Sequence, residues 1–487
     1  MTAINEQIYR QTKIIATLGP STSSEKAIEG LIDAGVDVVR LNFSHGNKND
    51  HVERAKLVRK VAEKKHYHVG IIADLQGPKI RITKFVNSKI ELKSGSKFTI
   101  DDKHPFDKGT EEIVGTTYSN LFEQLKANDI LLLDDGRIEL QVEKISGSKI
   151  ITKVIHGGLL YDSKGLNRKG GGLSASAISE KDLSDIKTAA EIGVDYLAVS
   201  FAREAQDINM ARKLLNEAGN KGGIIAKIER AEALKNIDEI IESSDAIMIA
   251  RGDLGVEIGD AQLPAVQKNL IKKARKKDKV VITATQMMES MITNSIPTRA
   301  EVFDVANAVI DGTDSVMLSS ETAMGDHPVE AVEAMSRICE GSEGQSPVSV
   351  IDSDYSIESI KVDRGIAMAC MLTADNLNAV AIAALTESGS TALWMSRINH
   401  RVPIFALTTH TGTLRKVTLY RGVYPARIKT TDTTHATVNK DVVDVLSKLG
   451  IAKKGDLVII TKGDLAGLTG GTNAMKVVTV GNLAKET

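Results

Sequence analysis

The chain has 487 residues, long enough for about three domains at ~150 residues each. Its hydrophobic share of 42% and charged share of 26% are those of a folded chain and exclude a disordered one. Lys and Arg number 62 against 63 Asp and Glu, and this near-neutral balance excludes the basic excess of a general nucleic-acid binder.

No apolar run approaches the ~18 residues of a membrane span, and the opening MTAINEQIYRQ carries no apolar leader, so no membrane partner is expected. Cys339 and Cys370 cannot build a disulfide framework; they read as buried thiols in a reducing, cytoplasmic setting.

In chain order, KIIATL (13–18), DVVRLN (37–42) and VGIIADL (69–75) read as short strands, apolar enough to be covered on both faces. Between the first two, Ser24 caps a helix that Gly35 ends. Residues 76–193 then interrupt the rhythm, too many for one crossover. Alternation in KIELKSGSKFTI and RIELQVEKISGSKIITKVIHGG, with turns at Asp135-Gly136 and Ser146-Gly147, predicts a small β domain over 76–173, closed by the hinge Gly170-Gly171-Gly172. Such an insertion at a barrel mouth is a natural lid.

Five more strands follow: VDYLAVS (194–200), GIIAKIE (223–229), DAIMIA (245–250), VVITAT (280–285) and SVMLS (315–319). Ser179 and Asp182 form a capping box before the first of them. Eight strand–helix units predict an α/β fold, a (β/α)8 TIM barrel over 1–75 and 174–345 with an inserted β-barrel lid domain; an open doubly wound sheet is the alternative. The pattern restarts beyond a linker, GQSPVSV (344–350), with strands 379–385, 403–408 and 456–461, predicting a C-terminal open α/β domain over 346–487.

Chemistry in such a barrel gathers at the C-terminal strand ends. Those ends carry Arg40, Asn42, Ser44, His45, Asp74, Lys227, Glu229, Arg251, Asp253 and Thr285. Retaining so many charges at one mouth is costly without a ligand. Glu229 and Asp253, with no His or Cys beside them, suit Mg2+ or Mn2+. Cations plus a divalent metal favour a phosphorylated anion, and the amides of GDLG (252–255) can hold a carboxylate. Neither GxxxxGKS/T nor GxGxxG occurs, so any nucleotide is bound otherwise.

With KIIATLGP, VVRLNFSHG, ADLQGPKIR, MIARGDLGVE, TATQMMESM and PTRAEVFDVANAVIDGTDSVMLS, the chain resembles the pyruvate kinases over nearly its whole length. The resemblance implies phosphoryl transfer from phosphoenolpyruvate to ADP, giving pyruvate and ATP, in a homo-oligomer, usually a tetramer. By matching positions, Lys227 neutralises the transferring phosphoryl group and Arg40 grips the phosphate. Glu229 and Asp253 hold the divalent metal, Gly252 and Asp253 the carboxylate. Thr285 stands at the enolate face that is protonated, and Asn42, His45, Arg81 and Lys164 approach the nucleotide.

Many members also bind K+, at positions matching Asn42, Ser44, Asp74 and Leu75. This chain carries Lys79 where potassium-dependent members usually have Glu, and Leu75 where they usually have Thr. Unit charges ~4 Å apart interact by roughly 4 kcal/mol at an effective dielectric of ~20, so a fixed Lys79 ammonium is expected to replace the ion. In the C-terminal domain TESGSTA (386–392) offers hydroxyls and amides to a phosphate. The resemblance implies an effector there, a sugar phosphate or a nucleotide, touching Thr386, Ser388, Gly389, Ser390 and Thr391, with Gly470 and Gly471 on a closing loop. A metal-enolate lyase, which would need no ADP, and a silent sensor, which would lack Lys227 or its acidic partners, are the competing readings.

Overall fold

The structure, a computed structural model, describes residues 10–173, 177–343, 361–398, 400–429, 435–463 and 471–482. The chain opens β1 (Lys13–Leu18), α1 (Glu25–Asp33), β2 (Val38–Asn42), α2 (Lys48–Lys64) and β3 (Gly70–Asp74). Ser24 Oγ caps α1 by accepting from the Ala27 amide.

The insertion follows: β4 (Lys89–Leu92), β5 (Lys97–Asp101), β6 (Ile113–Val114), β7 (Ile130–Leu133), β8 (Ile138–Ser146), β9 (Lys149–His156), β10 (Gly158–Tyr161) and β11 (Leu166–Arg168). Six of these strands pair in the order β11-β7-β8-β9-β5-β6, and β10 pairs with β4. The two ladders surround one apolar core that includes Phe98, Leu131, Leu140 and Leu160.

The barrel resumes with α3 (Glu180–Ile192), β12 (Tyr196–Val199), α4 (Ala205–Glu217), β13 (Gly223–Ile228), α5 (Ala231–Lys235), α6 (Ile237–Ser243), β14 (Ala246–Ala250), α7 (Arg251–Ile258), α8 (Leu263–Lys276), β15 (Val280–Ala284), α9 (Arg299–Ile310), β16 (Ser315–Leu318), α10 (Ser320–Ala323) and α11 (Pro328–Glu343). All eight strands are parallel and close in the order β1-β16-β15-β14-β13-β12-β3-β2, so the open-sheet alternative falls. The last domain has α12 (Val362–Leu377), β17 (Ala381–Leu385), α13 (Ser390–Ser396), β18 (Ile404–Thr408), α14 (Thr411–Lys416), β19 (Val423–Arg427), α15 (His435–Lys448), β20 (Leu457–Gly463) and β21 (Thr472–Thr479). Its sheet runs β19-β18-β17-β20-β21, with β21 antiparallel to β20.

The edge strands β19 and β21 are absent from the sequence reading. Pro425 sits inside β19, which only an edge tolerates, and β21 alternates too weakly to stand out. The expected linker at 344–350 and the boundary at 345/346 lie outside the described residues. Among the described residues no helix is long and apolar enough to cross a membrane, and both cysteines are buried and unpaired.

The barrel floor repeats one device four times. Asp37, Asp195, Asp245 and Asp314 each precede an even-numbered barrel stave. Each accepts the backbone N–H of a residue on the stave beside it: Ile14 at 2.9 Å, Ile71 at 2.8 Å, Ile224 at 2.8 Å and Val281 at 2.9 Å. Each also holds an arginine, in turn Arg10, Arg59, Arg212 and Arg397. The fourth arginine comes from the end of α13, in the C-terminal domain. The two domains share a core as well: Ile15, Ile72, Met248 and Ile282 inside the barrel join Met371, Met395 and Leu419 outside it.

Breaking a buried ion pair by removing one partner costs about 3–5 kcal/mol, whereas a solvated pair is worth about 1 kcal/mol or less. The Arg397 and Asp314 side chains are 1% and 0% exposed; those of Arg212 and Asp245 are 35% and 29% exposed. Arg397→Met is therefore expected to destabilise the chain several-fold more than Arg212→Met in urea unfolding. Equal losses would show that burial does not rank these pairs.

Candidate active site

At the opposite end of the barrel the staves deliver a compact charged cluster. Arg40, near the end of β2, donates from Nε to Asp74 Oδ2 at 2.6 Å and from Nη1 to Thr17 Oγ1 at 3.1 Å. Asp74 ends β3 and is fully buried. Lys227 on β13 places Nζ 3.2 Å from Asp74 Oδ1 and 2.9 Å from Glu229 Oε1, and donates to Ser200 Oγ at 2.7 Å. One aspartate thus binds two cations, and one lysine bridges two carboxylates.

The environment tunes these groups. Burial pushes the Asp74 carboxyl up, but Lys227 and Arg40 outweigh it and hold its pKa below the usual value. Burial pulls the Lys227 ammonium down, yet Asp74 and Glu229 leave it raised overall. Burial raises Glu229, as do the nearby charges of Asp253 and Asp74, against the pull of Lys227. Asp74 and Lys227 are thus held in their charged forms, while the charged form of Glu229 is disfavoured.

Backbone strain marks the same mouth. Phe201, just past β12, holds φ +57°, and its amide donates to Glu229 Oε2 at 2.7 Å. Thr285 and Gln286, just past β15, hold φ +67° and +53°; a β-branched residue in the left-handed region is a genuine outlier. Thr285 Oγ1 accepts from the Gly252 amide at 2.9 Å and donates to the Ala284 carbonyl at 2.6 Å.

Several expected site residues stand differently. GDLG is not a loop before a helix but lies within α7, which starts at Arg251, so Gly252 and Asp253 occupy its first turn. Arg251 does not join the cluster. Its guanidinium pairs with Asp304 at 2.7 Å and binds the carbonyls of Ala284, Thr285 and Gln286, bracing the strained turn. Lys79 does not stand at Asn42, Ser44 and Asp74 as the potassium argument expects. Its Nζ lies 2.8 Å from Asp253 Oδ1, because Asp74 is already neutralised by Arg40 and Lys227.

The nucleotide-side residues form two separate groups. Asn42 Oδ1 accepts from the Ser44 amide at 3.1 Å, and His45 is exposed. Across the lid root Arg81 donates to the Ser163 carbonyl at 3.0 Å, and Lys164 pairs with Asp134 at 2.7 Å. Among the described residues no hydrogen bond joins these lid cations to Asn42 or His45. Leu75 is buried, its amide donating to the Ala198 carbonyl, so its side chain offers no ligand to a monovalent ion.

Ser200, Phe201 and Thr17 touch the cluster without having been singled out by sequence. Ser200 stood as a hydroxyl at a strand's C-terminal end, the same signal that marked the others. In the C-terminal domain, Thr386 Oγ1 accepts from the Gly389 amide at 2.9 Å, Ser388 and Ser390 hydroxyls lie 2.8 Å apart, and Thr391 meets Thr472 at 2.8 Å. Gly471 is described; Gly470 lies outside the described residues.

The donor set fits a hard divalent cation. Mg2+ is commonly held by one or two carboxylates with substrate oxygens completing its shell, and Glu229 with Asp253 supplies two. Among the described residues no group of three or more His, Cys, Asp and Glu side chains is arranged to hold a metal.

Comparison with known proteins agrees with this geometry. Residues 9–332 match the family model of the pyruvate kinase barrel domain, and residues 364–478 that of the pyruvate kinase alpha/beta domain. Relatives include a pyruvate kinase of Buchnera aphidicola subsp. Baizongia pistaciae, 50% identical over 97% of this chain and 99% of its own length. Pyruvate kinase II of Salmonella typhimurium is 50% identical over the same shares. Among solved structures, a pyruvate kinase from Cryptosporidium parvum superposes with a TM-score of 0.89 at 34% identity, covering 96% of each chain.

Asp74→Asn removes the counter-charge shared by Arg40 and Lys227, and is expected to cost about 3 kcal/mol in chemical unfolding. Because the folded pKa of Asp74 lies below its unfolded value of ~3.9, its contribution is present above that pH and is lost as pH falls. The variant should therefore show a shallower loss of stability in acid than the parent; parallel acid profiles would refute the assignment.

Proposed function

The chain belongs to the pyruvate kinase family, and from that premise we propose how its residues divide the reaction. The enzyme is a phosphotransferase that moves the phosphoryl group of phosphoenolpyruvate to ADP, giving pyruvate and ATP. Family members generally use Mg2+ and K+.

The observation that carries the reading is Lys227 Nζ at 2.9 Å from Glu229 and 3.2 Å from Asp74, protonated at the centre of the mouth. Lys227 and Arg40 bind the phosphoryl oxygens of the substrate from the barrel side. Glu229 and Asp253 would hold the divalent ion, which would supply positive charge to the anionic substrate. The amides of Gly252 and Asp253, in the first turn of α7, receive the substrate carboxylate, with Thr285 Oγ1 yielding the Gly252 amide. Thr285 then stands beside the enolate, where its hydroxyl orients the proton that the methylene carbon takes up. Asn42, His45, Arg81 and Lys164 bind the nucleotide phosphates as the lid dries the site. Phosphoryl transfer needs such positioning and charge more than covalent help.

Lys79 keeps an ammonium tethered at the acidic mouth, paired with Asp253 rather than standing at Asn42, Ser44 and Asp74, and this charge supports activity without K+. The hydroxyl-lined loop ahead of α13 supports an effector site for a sugar phosphate or nucleotide at Thr386, Ser388, Gly389, Ser390 and Thr391, with Gly470 and Gly471 as its further candidates from the family resemblance. The exposed side chains of Ile296, Phe303 and Ile310, on and beside α9, support self-association, a tetramer being the family's usual form. Buried, unpaired cysteines suit a cytoplasmic enzyme.

A coupled assay for pyruvate tests the central assignment. Formation should require ADP, and Lys227→Met should lose on the order of 100- to 1,000-fold in kcat. Product without ADP, or an undiminished variant, would overturn it. In buffer free of K+ the parent should keep most of its rate and Lys79→Glu should lose it until K+ is added; near-total loss in the parent would refute the role given to Lys79.

A further inference from the structure

The three carboxylates Asp74, Glu229 and Asp253 are each paired with a cation from within the chain. Asp74 faces Arg40 and Lys227, Glu229 faces Lys227, and Asp253 faces Lys79. A divalent ion held by Glu229 and Asp253 therefore competes with a resident cation for these carboxylates. The two lysines are not equally held. Lys227 is 11% exposed and keeps Asp74 and Ser200 if it leaves Glu229. Lys79 is 25% exposed, and Asp253 is its one ion-pair partner among the described residues. Lys79 is the cation that gives way at least cost.

Where Lys79 is attached makes that exchange consequential. It sits at the lid root, where the incoming and outgoing lid segments pair. The Leu166 amide donates to the Ile80 carbonyl at 2.9 Å, and the Ile82 amide to the Lys164 carbonyl at 3.0 Å. The outgoing segment reaches the hinge glycines Gly170, Gly171 and Gly172, whose φ values of +82°, +80° and +95° only glycine adopts freely. The Gly170 amide donates to the Glu257 carbonyl at 3.0 Å. Asp253 and Glu257 lie on one helix, α7, so this element grips the lid at its first turn through Lys79 and at its last turn through the hinge.

We propose that Lys79 is a positioning residue, the resident counter-ion of Asp253, which latches the lid root to α7 until a divalent cation displaces it, so that metal loading and release of the lid root are one event. The proposal rests on the assignment of Asp253 as a metal ligand above. It concerns the enzyme before substrate arrives and is independent of any potassium requirement.

Two measurements on the substrate-free protein decide it. Mn2+ titration followed by electron paramagnetic resonance should give up to about fivefold tighter binding for Lys79→Met than for the parent, the worth of one partly screened ion pair. Lys79→Arg should bind like the parent. Hydrogen exchange over residues 164–173 should quicken in the parent when Mn2+ is added; in Lys79→Met it should be quick already and indifferent to Mn2+. Equal or weaker Mn2+ binding by Lys79→Met, or parental exchange that ignores Mn2+, would overturn the latch. Asp253→Asn separates the latch from the metal site: it should lose most Mn2+ binding. Unchanged binding there would remove Asp253 as a ligand and the latch with it, whereas lost binding beside an unaltered Lys79→Met would condemn the latch alone.

Discussion

Four aspartates at the barrel floor set the register on which everything above them depends. Each of Asp37, Asp195, Asp245 and Asp314 ties the start of one stave to its neighbour through a backbone amide, and is itself neutralised by an arginine. In a parallel barrel a one-residue slip would turn every inward side chain outward. Pinning alternate junctions with charge-assisted bonds fixes where each strand ends, and the strand ends carry the charged mouth. The fourth arginine, Arg397, comes from the C-terminal domain, so that domain completes the barrel's own floor.

The mouth follows from that register. Asp74, Lys227 and Glu229 come from two different staves and the residue following one, yet their charged atoms converge within hydrogen-bonding distance. At the strand ends of the mouth, Phe201, Thr285 and Gln286 hold left-handed backbone where the chain leaves a strand, and Phe201 and Thr285 present an amide and a hydroxyl inward. Arg251, by holding three carbonyls of the 284–286 turn, keeps that strain in place. Charge, strain and brace together hold the donors of the barrel mouth in place.

α7, a barrel helix of eight residues, meets the lid at two points, Asp253 and Glu257. Burial raises the Glu257 carboxyl to about 7, with the Ala231 amide and Arg230 opposing and Glu232 adding to it. The Lys79–Asp253 pair at the first turn of α7 and the hinge attachment at its last are thereby carried by one helix.

By itself the sequence determined the kind of elements and their order. Short apolar runs that end in Arg40, Asp74, Lys227 or Thr285 can only be covered strands with polar tips, and that periodic, local signal located the barrel, the insertion and most of the mouth. It even held the floor's signature, an aspartate just before alternate strands in VDVV, VDYL, SDAI and TDSV, although its meaning appears only once the strands stand side by side. Tertiary structure alone decided who pairs with whom: Lys79 with Asp253, Arg251 with Asp304, Ser200 with Lys227, Arg397 with Asp314. A charged side chain carries no mark of its partner. Over separations of 27 to 174 residues, which opposite charge it meets is fixed by the packing of apolar strands between them, not by the pattern around either residue.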